Sequence, residues 1–347
     1  MNAQTTPSVR LNDSTLRDGS HAIRHQFTPD DVRRIAARLD RAGVYAVSVG
    51  HGDGLGASSI HYGLAAHTDE ELQSAAMEVL QRAILCAVLV PGTGTKDHLR
   101  AAFDRGARLL RVATHCTEAD IGIQHIGLGR ELGMEVHSDL MMAHQIPPAE
   151  LARQARIMAD AGANGVYIMD TAGALTIEDA VARVDAFREA LPADVEVGIH
   201  AHNNLSLAVA ISVEAVRAGA TLVDACLAGM GAGAGNCQTE ALVATLERMG
   251  FPTGTDLWAL QDAADDAVRP VMTQPPVIDR STLTLGFAGV PSSFLLHARK
   301  ASEQFGVDER EILVELGRRK AVGGQEDMII QIAAELASER MGVSQPT

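Results

Sequence analysis

Val9-Arg10-Leu11-Asn12-Asp13-Ser14-Thr15-Leu16-Arg17-Asp18-Gly19 is the stretch on which the fold turns. A short β-rich run, residues 9–14, gives way at once to polar chemistry. An open doubly wound sheet most often carries a GxGxxG turn after its first strand. None stands here. The alternation begun by this strand continues along the chain. Short β-rich runs at 44–50, 84–90, 109–113, 135–140, 165–169, 195–200 and 222–225, mostly apolar, read as strands. Between them, residues 29–41, 69–82, 96–105, 118–132, 148–161, 177–190, 205–218 and 238–249 have helical periodicity. Continuous apolar strands separated by amphipathic helices describe parallel strands covered by helices. Gly43, Gly106, Gly162 and Gly219 each stand between a helix and the next strand, where a left-handed residue ends a helix. Eight such units in about 250 residues is the size of a closed (β/α)8 TIM barrel. The fold class is therefore read as α/β, a TIM barrel over residues 1–270 followed by a C-terminal helical subdomain over 271–347. Within the remainder, 256–268, 292–305, 309–319 and 326–340 read as helices, and the proline-bearing 270–276 as a linker.

The composition excludes several classes of function. The 347 residues carry a formal charge of −15 with 46% hydrophobic and 21% charged residues. That is globular composition. The acidic balance disfavours nucleic acid, whose phosphates need clustered Lys and Arg. No run approaches the roughly 18 apolar residues that span a bilayer, so no membrane association is expected. Residues 1–9 read as a short polar lead without a signal-peptide core. Cys86, Cys116, Cys226 and Cys237 lack CxxC spacing, which fits a reducing cytoplasm better than a disulfide framework.

In a barrel the chemistry sits at the C-terminal ends of the strands, and polar clusters can be weighed by that rule. After the first strand come Arg17, Asp18 and His21. An isolated Asp-Gly is ordinarily a turn, but three functional side chains within five residues at a strand's catalytic end favour a site. The seventh strand ends Ile199-His200-Ala201-His202-Asn203-Asn204. Alternation turns His200 and His202 to the same side. A His-x-His pair is about as readily a hydrogen-bonded core pair as a ligand pair, and its position moves the reading toward a ligand pair. With Asp18 across the barrel, the set suits Mn²⁺, Co²⁺, Mg²⁺ or non-haem Fe²⁺, and the lack of a thiolate argues against structural zinc. His51-Gly52-Asp53-Gly54, Asp170-Thr171-Ala172-Gly173 and the glycine-rich 229–236 follow other strands. Taken alone, each reads as readily as a loop.

Taken together, these motifs resemble one family. Asp13-Ser14-Thr15-Leu16-Arg17-Asp18-Gly19 and His200-Ala201-His202-Asn203 are similar to the metal-dependent TIM-barrel metallolyases. Gly50-His51-Gly52-Asp53-Gly54-Leu55, the run 111–120 and Gly323-Gly324-Gln325-Glu326-Asp327-Met328 narrow the resemblance to the 4-hydroxy-2-oxovalerate aldolases, over residues 11–328. The resemblance implies a class II pyruvate aldolase that cleaves a 4-hydroxy-2-oxo acid to pyruvate and an aldehyde, as in breakdown of aromatic compounds. Asp18, His200 and His202 would hold the metal, Mn²⁺ first, with Co²⁺ or Mg²⁺ as alternatives. Substrate would meet Arg17, Asp18, Thr171 and His200, with Arg17 facing the enolate oxygen and His21 removing the 4-hydroxyl proton. A Schiff-base lysine is the other route to such cleavage, but Lys96, Lys300 and Lys320 lie at no predicted strand end.

The resemblance further implies an oligomer and a partner, an acylating NAD-dependent aldehyde dehydrogenase reached through the C-terminal partner-communication helices. Two departures stand out. The family has Gly-Tyr-Ala-Gly-Val-Tyr-Ser-Ser-Phe where this chain has Gly286-Phe287-Ala288-Gly289-Val290-Pro291-Ser292-Ser293-Phe294, so a catalytic-site Tyr is replaced by Pro291. Ile211 stands where Asn is common. Two alternatives use the same residues: a Claisen-type acyl-CoA condensing enzyme or lyase, and a barrel kept as a non-catalytic subunit of a dehydrogenase complex.

Overall fold

The computed structural model describes residues 9–340, so the polar lead at 1–8 and the tail at 341–347 lie outside the described residues. Eight strands form the barrel: β1 (Arg10–Asp13), β2 (Ala46–Ser48), β3 (Ile84–Leu89), β4 (Leu109–His115), β5 (Glu135–Met141), β6 (Gly165–Asp170), β7 (Glu196–Ala201) and β8 (Leu222–Ala225). Each pairs in parallel with its neighbour in sequence, and β8 returns to β1, with Arg10 opposite Leu222 and Asp13 opposite Ala225. The sheet has no edge, so every strand is protected from further pairing.

The helices follow in alternation: α1 (Pro29–Ala42), α2 (Asp69–Met77), α3 (Lys96–Asp104), α4 (Ile123–Glu131), α5 (Pro148–Asp160), α6 (Ile177–Ala190), α7 (Ala208–Ala218) and α8 (Thr239–Arg248). Thr28, Thr68, Thr95 and Thr176 each cap a helix by accepting a backbone N–H from the third helical residue. Such caps satisfy donors that the first turn leaves free. The junction glycines all have positive φ, from +86° at Gly43 to +115° at Gly106. A side chain there would be strained.

Three helices are shorter than their periodicity suggests, each for a local reason. α2 stops at Met77, and Asp40 Oδ1 accepts the N–H groups of Gln81, Arg82 and Ala83, pulling that segment out of helix. α4 is preceded by a tight turn at Ala119–Gly122, where Gln154 takes the Ala119 N–H. α7 begins at Ala208 because Ser206 is left-handed and Asn203 accepts the Ala208 N–H.

One apolar core lies between the strands and helices and runs from Val9 to Val268. A second is built by the last four helices of the described residues. α9 (Leu257–Ala263) still packs on the barrel, whereas α10 (Arg280–Ala288), α11 (Phe294–Phe305), α12 (Glu309–Arg318) and α13 (Asp327–Arg340) surround Phe294, Ile312, Leu316 and Ile332. Burying a side chain such as Phe294 contributes about 1.5–3 kcal/mol. α10 is a helix that the periodicity does not announce. Its sequence Arg-Ser-Thr-Leu-Thr-Leu-Gly-Phe-Ala is rich in poor helix formers, and Asp279 starts it by accepting two N–H groups. No helix of the described residues is long and apolar enough to cross a membrane.

Candidate active site

At the C-terminal mouth of the barrel, β1 passes into a tight 3₁₀ turn at Asp18–Ile23, which delivers Asp18 inward. β7 carries His200 at its end, and His202 follows just beyond. Ligand atoms of Asp18, His200 and His202 all lie within 4.8 Å of one another, and all three residues are buried. Asp18 Oδ2 is 3.8 Å from Nε2 of each histidine, and the two Nε2 atoms are 3.2 Å apart.

The surroundings fix each group. Asp18 Oδ1 accepts Asn236 Nδ2 at 2.7 Å and the Ala232 N–H at 3.3 Å, leaving Oδ2 toward the histidines and Arg17. A Cβ at Gly231 would fall 2.1 Å from Asn236 Nδ2, so the glycine loop is what lets Asn236 reach Asp18. Burial alone would raise the Asp18 carboxyl, but Arg17, then His202, His200 and His21, hold it well below the usual carboxylate range. Burial pushes His202 down to about 4, against the pull of Asp18. The donor set is thus a carboxylate and two imidazoles converging on one point, with the two Nε2 atoms within hydrogen-bond distance of each other. These residues fit a divalent cation with nitrogen and oxygen ligands.

His21 stands beside this group. Its Nε2 is 3.9 Å from Asp53 Oδ2, and its ring meets the His25 ring edge-on at 4.8 Å. His25 in turn stacks on His51 at 3.7 Å. Burial, His21 and His51 together press His25 down to about 3, so it stays neutral. A Cβ at Gly52 would lie 2.4 Å from His21 Nε2, and the Gly52 carbonyl accepts Arg17 NH1 at 3.2 Å. The loop after β2 therefore seats both residues. Arg17 Nε is buried without a partner. Thr171 follows β6, beside β7, and its Oγ1 accepts the Met142 N–H at 2.9 Å, leaving its own proton to donate.

The structure therefore brings together Arg17, Asp18, His21, His200 and His202, and sets Thr171 on the adjacent strand end. It adds Asn236 and also Asp224, whose Oδ2 lies 2.9 Å from His200 Nδ1, neither of which the sequence reading singled out. The segment bearing Pro291 lies over the same mouth. Gly286 packs so closely that a Cβ would sit 2.9 Å from the Gly173 carbonyl and 3.0 Å from Asn204 Cβ, and His144 Nε2 lies 3.1 Å from the Gly289 carbonyl.

Two family profiles match the chain, one described as HMGL-like over residues 8–267 and one as a DmpG-like communication domain over residues 276–338. The chain is 53% identical over 329 residues to a Carboxydothermus hydrogenoformans protein named 4-hydroxy-2-oxovalerate aldolase, covering 95% of this chain and 97% of that one. A protein of the same name from Geobacillus genomosp. 3 is 52% identical over 333 residues, covering 96% and 98%. Among solved structures, the carboxyl transferase domain of Rhizobium etli pyruvate carboxylase shares the fold, with a TM-score of 0.77 at 17% identity, covering 96% of this chain and 60% of that one. The chain belongs to the 4-hydroxy-2-oxovalerate aldolase family of carbon–carbon lyases, as its motifs suggest.

Proposed function

We propose that the protein is a divalent-metal-dependent aldolase that cleaves 4-hydroxy-2-oxo acids to pyruvate and an aldehyde, with Mn²⁺ as the preferred ion. The observation that carries this reading is the buried convergence of Asp18, His200 and His202 beside Arg17 at the barrel mouth. A bound divalent ion supplies a Lewis acid for the 2-oxo oxygen. The remaining work belongs to the chain. His21 takes the proton of the 4-hydroxyl. The C3–C4 bond then breaks, C4 and its oxygen leave as the aldehyde, the electron pair moves toward the 2-oxo oxygen to give the enolate of pyruvate, and a proton added at C3 completes pyruvate while His21 gives up the proton it took. The Arg17 guanidinium, with its Nε unshared, is fixed to stabilise the negative charge that develops on the 2-oxo oxygen. The Thr171 hydroxyl donates a hydrogen bond to the substrate carboxylate.

The aldehyde half would lie toward Pro291, where a phenol of the family is missing. A ring without an N–H or a hydroxyl offers no hydrogen bond, so a larger or differently oriented aldehyde is accepted. Residues 271–347 act as the partner-communication domain, against an acylating NAD-dependent aldehyde dehydrogenase. Leu283 and Phe287 on α10, 48% and 76% exposed, support a surface that a partner covers. Four unpaired thiols support a reducing cytoplasm, and the resemblance of the motifs to the aldolase family supports a role in aromatic catabolism.

The test is pyruvate release from 4-hydroxy-2-oxo acids of graded chain length, in wild type, His21→Ala and Pro291→Tyr. Release that falls in His21→Ala, and a length range that narrows in Pro291→Tyr, support the reading. Absence of release from every substrate refutes it.

A further inference from the structure

Directly beneath the candidate metal ligands, the barrel interior holds a second charged group with no access to solvent. Arg111 on β4 is fully buried, as are Asp139 on β5 and Asp224 on β8. Asp139 takes most of the guanidinium, accepting Arg111 Nε at 3.0 and 3.1 Å and NH2 at 2.7 Å. The remaining nitrogen, NH1, donates across the barrel to Asp224 Oδ2. The guanidinium lies 3.8 Å over the Tyr167 ring, which closes it from below. A Cβ at Gly198 would fall 2.6 Å from that ring, so glycine on β7 makes room for it.

Asp224 is held on both oxygens. Oδ1 accepts Asn12 Nδ2 at 2.9 Å, and Oδ2, already facing Arg111, lies 2.9 Å from His200 Nδ1. A carboxylate so placed can only accept, so His200 Nδ1 carries the hydrogen and Nε2 presents a lone pair toward Asp18 and His202. The layer also contains two carboxylates for one guanidinium. An excess negative charge buried in this way is costly unless a cation answers it.

We propose that Asp139, Arg111 and Asp224 are positioning residues for the metal: Asp224 fixes the His200 tautomer, and the layer as a whole lends the cation site one uncompensated negative charge. The proposal rests on the metal-dependent reading above. It assigns Asp139, which touches no ligand, a purely electrostatic share, and Asp224 both an orienting and an electrostatic one.

The experiment uses the full-length protein, stripped of metal by chelation, with uniformly ¹⁵N-labelled histidine. Mn²⁺ affinity is read from free Mn²⁺ by electron paramagnetic resonance, and the His200 tautomer from long-range ¹H–¹⁵N correlations in the metal-free state. Wild type should show the Nδ1–H tautomer at His200. Asp224→Asn should weaken Mn²⁺ binding by about 10- to 100-fold and populate the Nε2–H tautomer, because an amide can donate to Nδ1. Asp139→Asn should weaken binding by roughly 3- to 10-fold, since it removes charge alone, and leave the tautomer unchanged. If Asp224→Asn does not fold, the Asp139→Asn affinity decides. Variants that melt at lower temperature but bind Mn²⁺ as wild type does would overturn the proposal and leave the metal reading intact. A wild-type protein that binds no Mn²⁺ would overturn both.

Discussion

The two ends of the barrel carry the same kinds of side chain and hold them in opposite states. At the C-terminal mouth, Asp18, His200 and His202 converge within 4.8 Å, and at the N-terminal end Glu135, His137 and Glu196 do the same. At the lower end each carboxylate is already met by donors of the protein. Arg10 binds both Glu135 and Glu196, Tyr45 and His137 meet Glu135, and Thr221 donates to Glu196 at 2.8 Å. At the mouth, Asp18 Oδ2 has Arg17 on one side, while both imidazoles still turn their Nε2 atoms toward it and each other. Composition alone does not make a cation site. What distinguishes the mouth is acceptor capacity that the protein leaves unused.

This contrast can be broken at either end. The largest effect is expected at the mouth, where His202→Ala should lower pyruvate release by about 10³-fold or more, equivalent to about 4 kcal/mol of transition-state stabilisation. Mn²⁺ binding should be lost with it, while the melting temperature stays near that of wild type. Next comes Gly52→Ala, which drives a methyl group into the place of the His21 ring. It should cost about 10- to 100-fold in kcat with Mn²⁺ affinity unchanged, separating the proton acceptor from the metal set.

At the lower end, Arg10→Gln should leave kcat as it is and cost about 1–2 kcal/mol of stability in chemical denaturation, since the pairs it breaks are about a quarter exposed. The same variant sharpens the comparison. With its internal cation gone, Glu135, His137 and Glu196 should bind a second, weaker Mn²⁺. The smallest effect concerns pH. Burial would raise the Glu135 carboxyl, but His137, Tyr45 and Arg10 hold it down to about 2, against a usual 4.5. Its stabilisation is therefore complete above about pH 4.5 and lost as the pH falls from there toward 2. Glu135→Gln should flatten the difference in melting temperature between pH 6 and pH 3 by a few degrees, corresponding to about 1 kcal/mol once partial exposure is allowed for.

The barrel was legible because its signals are local and repeated: a strand and then a helical period eight times over, with a glycine at four of the junctions. The strand-end rule then picked out Asp18, His200 and His202 as a candidate set, and the structure brings the three side chains together. Side chains that work by facing across the barrel were not legible in this way. Arg111, Asp139 and Asp224 each sit within a predicted strand, and nothing local says that three strands far apart in sequence turn them onto one another. A charged residue at an inward position of a buried parallel strand was the available signal. Asn236 was hidden among glycines, and the reason for those glycines, room for its amide beside Asp18, is steric and exists only in the folded chain. The helix α10 was missed because its stability comes from packing over Gly173 and Asn204 rather than from its own propensity.

The most direct test of the account is a titration of chelated protein with Mn²⁺, following bound metal and pyruvate release from 4-hydroxy-2-oxovalerate in the same samples. The account predicts no release without metal, and release that rises in step with binding to saturation at one ion per chain. Full release from the chelated protein, or stoichiometric binding that restores none, would contradict it.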